Sequence, residues 1–142
     1  MTNDLESSNN FKPKFDENGL MPATAIEQST GTPLMLAYVN EGALIKSLET
    51  GYAHFWSRSR QNFWQKGETS GNRLKIINIL IDCDQDSLCF MVEMEGQKAA
   101  CHTGKKTCYY RQLTTSDTKE RAITLSFTNV EQVFDPEKVY KK

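Results

Sequence analysis

Between Lys75 and Met94 the chain alternates, turns at a cluster of acids, and resumes as a second apolar run. In Lys75–Asp84 the isoleucines 77, 79 and 81 recur at period two, which predicts a strand with one buried face. Leu88–Met94 supplies its antiparallel partner, and the connection falls at Asp84–Ser87. Any fold must therefore bury one face of this hairpin against a core. Strand geometry would place Asp82 and Asp84 on one face and Cys83 on the other, with Asp86 joining the acids if the chain turns sharply.

The sequence of 142 residues suits one domain with a real core, and its 38% apolar content is that of a chain that folds. A net charge of −1 argues against a protein whose business is neutralising many phosphates on nucleic acid. No apolar run approaches the roughly 20 residues of a bilayer span. The polar start, Met1–Asn10, lacks the basic-then-apolar order of a signal peptide and is expected to be frayed or disordered. These readings point to the cytoplasm, where clustered cysteines serve as metal ligands or buried thiols more often than as disulfides.

Ahead of the hairpin, Phe11–Phe15 is a possible short strand ended by the turn Asp16–Gly19. Leu20–Glu27 and Leu34–Val39 read as two strands joined through a turn at 28–33. Asn40 is a good N-cap and Gly51 a good helix terminator, so 41–50 is a short helix on Ala43, Leu44 and Leu48. Gly42 costs that helix roughly 1 kcal/mol against alanine, so it leans on packing. Ala53–Ser57 is strand-like, Arg121–Phe127 gives one more strand, and a short helix follows Asp135-Pro136.

All four cysteines lie within 83–108. Asp82, Asp84 and Asp86 can converge on a hard divalent ion such as Mg²⁺, although three such acids also suit a solvated hairpin tip. Cys101 and Cys108 flank a glycine-containing polar loop, and Cys83 is the natural third thiolate for Zn²⁺. Three thiolates with a fourth position open describe a catalytic zinc better than a structural one. Cys89 sits in the apolar run 88–92 and reads as a plain buried cysteine. His102, next to Cys101, is placed to manage protons beside that metal, or is a surface loop histidine; His54 reads as half-buried and hydrogen-bonded.

A second polar concentration precedes the hairpin. Arg58, Arg60 and Lys66, with Thr69, Ser70 and Gly71, form a donor set suited to phosphate, and Phe63 and Trp64 could stack on a base. The plain alternative is a solvated loop anchored by two aromatics. No Walker or dinucleotide glycine pattern occurs.

Taken together, Leu34–Asn40 with Ala43-Leu44, Ser57–Arg60, Trp64, Lys66–Asn72, Asp82–Asp86, Cys101–Gly104 and Cys108–Arg111 resemble the phosphoribosyl-AMP cyclohydrolases of histidine biosynthesis. The likeness spans about residues 11–113, with small departures at Val39 and Gly42 near the helix start. It implies a compact, β-rich α+β domain, with antiparallel hairpins and short helices, in an intertwined homodimer with phosphoribosyl-AMP as substrate. It further implies Mg²⁺ at Asp82, Asp84 and Asp86, and Zn²⁺ at Cys83, Cys101 and Cys108 with Cys83 from the other subunit. His102 would be catalytic, and Arg58, Arg60, Lys66, Thr69, Ser70 and Gly71 would contact substrate. The pyrophosphatase half of fused relatives is not expected in 114–142, which should pack on the same domain. A non-catalytic, dimeric, zinc-stapled binding module is the rival reading. A zinc base deaminase fits less well because its His-x-Glu…Pro-Cys-x-x-Cys signature is missing.

Overall fold

The computed structural model describes residues 4–115 and 122–140. A four-stranded sheet organises it: β1 (Met21–Glu27), β2 (Pro33–Val39), β5 (Leu74–Ile81) and β6 (Leu88–Met94), in the order β2-β1-β6-β5. The two expected hairpins are present, with Ala23 opposite Ala37 and Ile79 opposite Phe90. They join through a parallel pairing of β1 with β6, so the sheet is mixed rather than a row of hairpins. That pairing needs the long crossover that carries the rest of the domain.

The crossover begins with helix α2 (Glu41–Thr50). Asn40 Oδ1 accepts the Ala43 amide at 2.8 Å, and Gly51 closes the other end at φ +78° while donating to Ser47 O. Gly42 is explained by packing: a Cβ there would lie 2.8 Å from the Phe63 ring. A two-stranded ribbon follows, β3 (His54–Ser57) with β4 (Asn62–Gln65), of which only β3 is legible in the sequence. It is tied to the edge of the main sheet by the Tyr52–Lys75 bridge and the Ala53 N–Leu74 O bond. The core lies between sheet, helix and ribbon, where Phe55 meets Phe90 edge-on at 5.7 Å among Met21, Leu34, Val39 and Leu74.

Two expectations need correction. Strand β5 carries a register shift between Ile76 and Asn78, so Ile76 and Ile79 pack against the core while Ile77 and Ile81 are 44% and 40% exposed. The bulge adds one residue and breaks the strict period-two face. Phe11–Phe15 is not a strand but an irregular segment held by Gln85, which accepts Lys12 N and donates to Asn10 O. Beyond the core, β7 (Arg111–Thr115) pairs with β8 (Ile123–Phe127) in a separate hairpin; β7 is not signalled in the sequence, and Arg121 lies outside the described residues. The expected final helix is α3 (Pro136–Val139), capped by Asp135, and the polar N-terminal stretch contains a helical turn, α1 (Asp4–Ser7). Met1–Asn3 lie outside the described residues.

Candidate active site

The acidic tip is built by a turn and not by strand alternation, because β5 ends at Ile81 and Asp82 opens the connection. Gln85 turns the chain in the left-handed region, at φ +61°, and buries its side chain under residues 10–14. Asp82 accepts the Asp86 amide at 2.9 Å, the Ser87 amide at 3.2 Å and the Ser87 hydroxyl at 2.8 Å. As a result Asp82, Asp84 and Asp86 each present an oxygen within 4.8 Å of the others, all three exposed. An all-oxygen set of this span matches the donors a small hard cation takes.

Their proton affinities differ. Partial burial raises Asp82, but the bonds from Ser87 and Asp86 outweigh it and hold it down at about 2. Asp86 is pushed up to about 6 by sharing a hydrogen bond with Asp82, then with Asp84, by burial and by their charges. Like-charged carboxylates this close cannot all ionise freely without a cation among them.

The thiols divide between two places. Cys101 is buried in a tight turn that returns Gly104 N to Cys101 O at 3.0 Å, and Thr103 Oγ1 donates to its sulfur at 3.0 Å. Cys108 is pinned by its amide to Leu34 O at 2.8 Å. Although Cys108 is exposed as a residue, burial of its thiol, then the charge and hydrogen bond of Cys101, push it up to about 12, with the Lys66 charge opposing. The two sulfurs are therefore neighbours. Cys83 stands exposed at the acidic tip, and among the described residues no grouping of three ligands joins it to Cys101 and Cys108. Cys89 is half-buried on β6 rather than fully buried, because Leu88, Phe90 and Val92 take the core face.

A cavity of about 310 Å³ opens beside the thiol pair, walled by Arg60, Trp64, Lys66, Thr69, Ser70 and His102. Lys66 is lowered from its ordinary value by burial, against the opposing charges of Cys108 and Cys101. Gly67 makes the turn beneath it at φ +87°, where a Cβ would strike the backbone of Asn72 and Arg73. Gly71 donates to Gly67 O at 2.7 Å and so shapes the turn without lining the cavity.

Arg58 goes elsewhere. Its guanidinium lies 4.2 Å from the Tyr38 ring, in a shallower hollow that also includes Trp56, Ser57 and Trp64. Phe63 is turned away from both, edge-on to Trp56 at 5.0 Å and under Lys46. His54 is buried, with Nδ1 2.9 Å from Tyr52 O, and takes no part. Two wall residues escaped the sequence reading. Tyr38 lies in a run that reads only as a buried strand, and Tyr140 sits in a tail without a motif.

The chain matches the family model for phosphoribosyl-AMP cyclohydrolase over residues 35–110, which takes in all of these groups except Tyr140. It is 49% identical to a phosphoribosyl-AMP cyclohydrolase of Chelativorans over 113 residues, 80% of this chain and 81% of that protein. A protein of the same name from Bradyrhizobium diazoefficiens is 40% identical over 141 residues, 99% of this chain and 97% of its own. The histidine biosynthesis bifunctional protein HisIE of Aquifex aeolicus is 51% identical over 103 residues, 72% of this chain and 50% of that one. With most of its length and both site-forming turns inside these matches, the chain belongs to the phosphoribosyl-AMP cyclohydrolase family.

Proposed function

We propose that the protein opens the adenine ring of phosphoribosyl-AMP by adding water at C6 and breaking the N1–C6 bond, the third step of histidine biosynthesis. The single observation that carries this reading is the cavity that sets His102 and Lys66 beside the Cys101–Cys108 pair. An enzyme of this family hydrolyses a cyclic amidine, and a site for that needs a place for the ring, a proton carrier and a cradle for phosphate.

Each part has a named candidate. His102 takes the proton from the attacking water and returns it to N1 as the ring opens, so the step balances as addition of one water. Arg60, Lys66, Thr69 and Ser70 supply donors to a phosphate in the cavity, and Trp64 offers an aromatic face. Arg58, with Ser57 beside it in the adjoining hollow, is in reach of the second phosphate that such a substrate carries. Gly71 acts by shaping the Lys66–Ser70 turn.

Zn²⁺ would be held by Cys101 and Cys108 with Cys83 of a second copy, and Mg²⁺ by Asp82, Asp84 and Asp86. Held there, the zinc would supply Lewis acidity. The donor sets fit, thiolates for the softer ion and clustered carboxylates for the harder one. The separation of Cys83 from the other two thiols within one chain is what supports a homodimer here. A metal staple without catalysis is less favoured, because a staple has no use for a cavity lined by a histidine and four phosphate donors.

The test is purified protein loaded with both metals and given phosphoribosyl-AMP, with ring opening followed by absorbance. Turnover is expected; none at any metal loading overturns the reading. Cys101→Ala should lose zinc and activity together. His102→Ala should lose at least a hundredfold in kcat with zinc content unchanged, and wild-type turnover in that variant would remove His102 from the mechanism.

A further inference from the structure

The cavity beside His102 has a wall that comes from outside residues 35–110, the stretch the family model matches: Tyr140, near the end of the chain. It is put there by a strap. Lys105 and Gln132 form an antiparallel bridge, Lys106 N donates to Glu131 O, and Val133 N donates to Gly104 O at 2.6 Å. Gln132 Nε2 donates to Thr103 O and to Phe134 O, both at 2.7 Å. Gly104, at φ +89°, is in such close contact that a Cβ would run into Phe134 O and Gln132 Nε2. Residues 131–134 are thus bonded directly onto the Cys101–Gly104 turn that carries His102.

Past that seam the path is equally determined. Phe134 is buried, Asp135 caps the single turn of α3, and Tyr140 N closes it on Pro136 O at 2.9 Å. The turn brings the Tyr140 ring to 6.1 Å from Phe134, tilted by 54°, and Tyr140 lines the cavity. Its hydroxyl has no hydrogen-bond partner among the described residues. Packing on Phe134 employs the ring, but the hydroxyl is left spare in a cavity shared with Lys66 and Ser70, a surface for a flat, polar ligand.

We propose that Tyr140 is a substrate-positioning residue: its ring closes the cavity over the nucleotide and its hydroxyl bonds it, while residues 131–134 fix that wall to the His102 turn. The inference rests on the cyclohydrolase reading for the identity of the nucleotide. It assigns the tail a task that the family match leaves open. Because Tyr140 touches neither thiol nor acid cluster, it acts on binding and not on metal retention or on the chemical step.

The experiment uses the full-length, metal-loaded protein and two ligands, phosphoribosyl-AMP for turnover and AMP, the fragment carrying the ring, for binding by titration calorimetry. Tyr140→Ala should raise KM about tenfold and weaken AMP at least fivefold, with kcat within twofold and metal content unchanged. Tyr140→Phe, which keeps the ring, should raise KM two- to fivefold. A KM rise with kcat held marks lost binding, whereas loss of kcat alone marks chemistry. Wild-type KM and AMP affinity in Tyr140→Ala overturn the proposal, as does a fall in kcat at unchanged KM. A wild-type protein that binds AMP without turnover sinks the cyclohydrolase reading alone, and the AMP affinities of the variants still decide the role of Tyr140.

Discussion

At the scale of single residues, the acidic tip combines a clamp with a proton store. Asp82, held at about 2 against an ordinary 3.8, contributes stability that is complete above 3.8 and is lost as the pH falls through about 2. Asp86 has the opposite sign. Held at about 6, its contribution is complete below 3.8 and is lost as the pH rises through about 6. Above that pH the carboxylates repel, and a divalent cation relieves them. Magnesium affinity should therefore fall as the pH drops below about 6, because the ion must then displace a proton from Asp86. Calorimetry at pH 5.5 in two buffers of different ionisation enthalpy checks this, since proton release makes the two heats differ; identical heats refute it. Gln85 is the structural member of the same turn. It is 5% exposed and bonds both Lys12 N, at 2.7 Å, and Asn10 O, at 3.0 Å. Gln85→Ala should cost about 1–3 kcal/mol in urea unfolding, mostly from polar groups left without partners.

At the scale of elements, the turn after β4 holds Lys66 in the cavity, and Gly67 is its pivot. Gly67→Ala combines a positive φ with a collision against the Asn72–Arg73 backbone, and should destabilise by roughly 2–4 kcal/mol and raise KM with it. A melting temperature equal to the wild type would show that the turn can yield. Helix α2 was legible down to both caps, because Asn40 and Gly51 act locally on the backbone they terminate. Locality also explains what was misread. The β5 bulge is invisible to a period count, since Ile76, Ile77 and Ile79 are all apolar and only β6 decides which face inward. Strand β4 is hidden in polar text and exists because β3 pairs with it. The acids meet by a route the sequence does not signal: Gln85 and the Asp82 bonds gather them in a turn, where the spacing predicts alternation on a strand. No spacing rule could place Tyr140 beside His102, 38 positions away by their numbers, because a seam of backbone bonds does so.

At the scale of the whole molecule, two apolar surfaces stand uncovered among the described residues of one copy. On the β7–β8 hairpin the pairs 111–127, 113–125 and 115–123 share a face, so Leu113, Leu125, Ile123 and Phe127 stand side by side at 55–74% exposure. A two-stranded ribbon is marginal in water by itself and needs a surface to pack on. The second surface is the shallow groove of Phe11, Leu48 and Ile81, of which Ile81 directly precedes Asp82 and Cys83 in the chain. The ribbon starts three residues after Cys108, and Ile81 of the groove lies two residues before Cys83. On the proposed dimer, seating one copy's ribbon in the other copy's groove would bring the chain segments next to Cys83 and to Cys108 together across the two copies. The double variant Leu113→Glu, Leu125→Glu places charge on that ribbon face without touching a thiol or the cavity. It should sediment as a monomer, retain less than a tenth of the zinc of the wild type and lose turnover in proportion. A variant that stays dimeric and zinc-loaded would place the interface elsewhere, and one that is monomeric with zinc in full would show that a single chain holds the ion without the partner's thiolate.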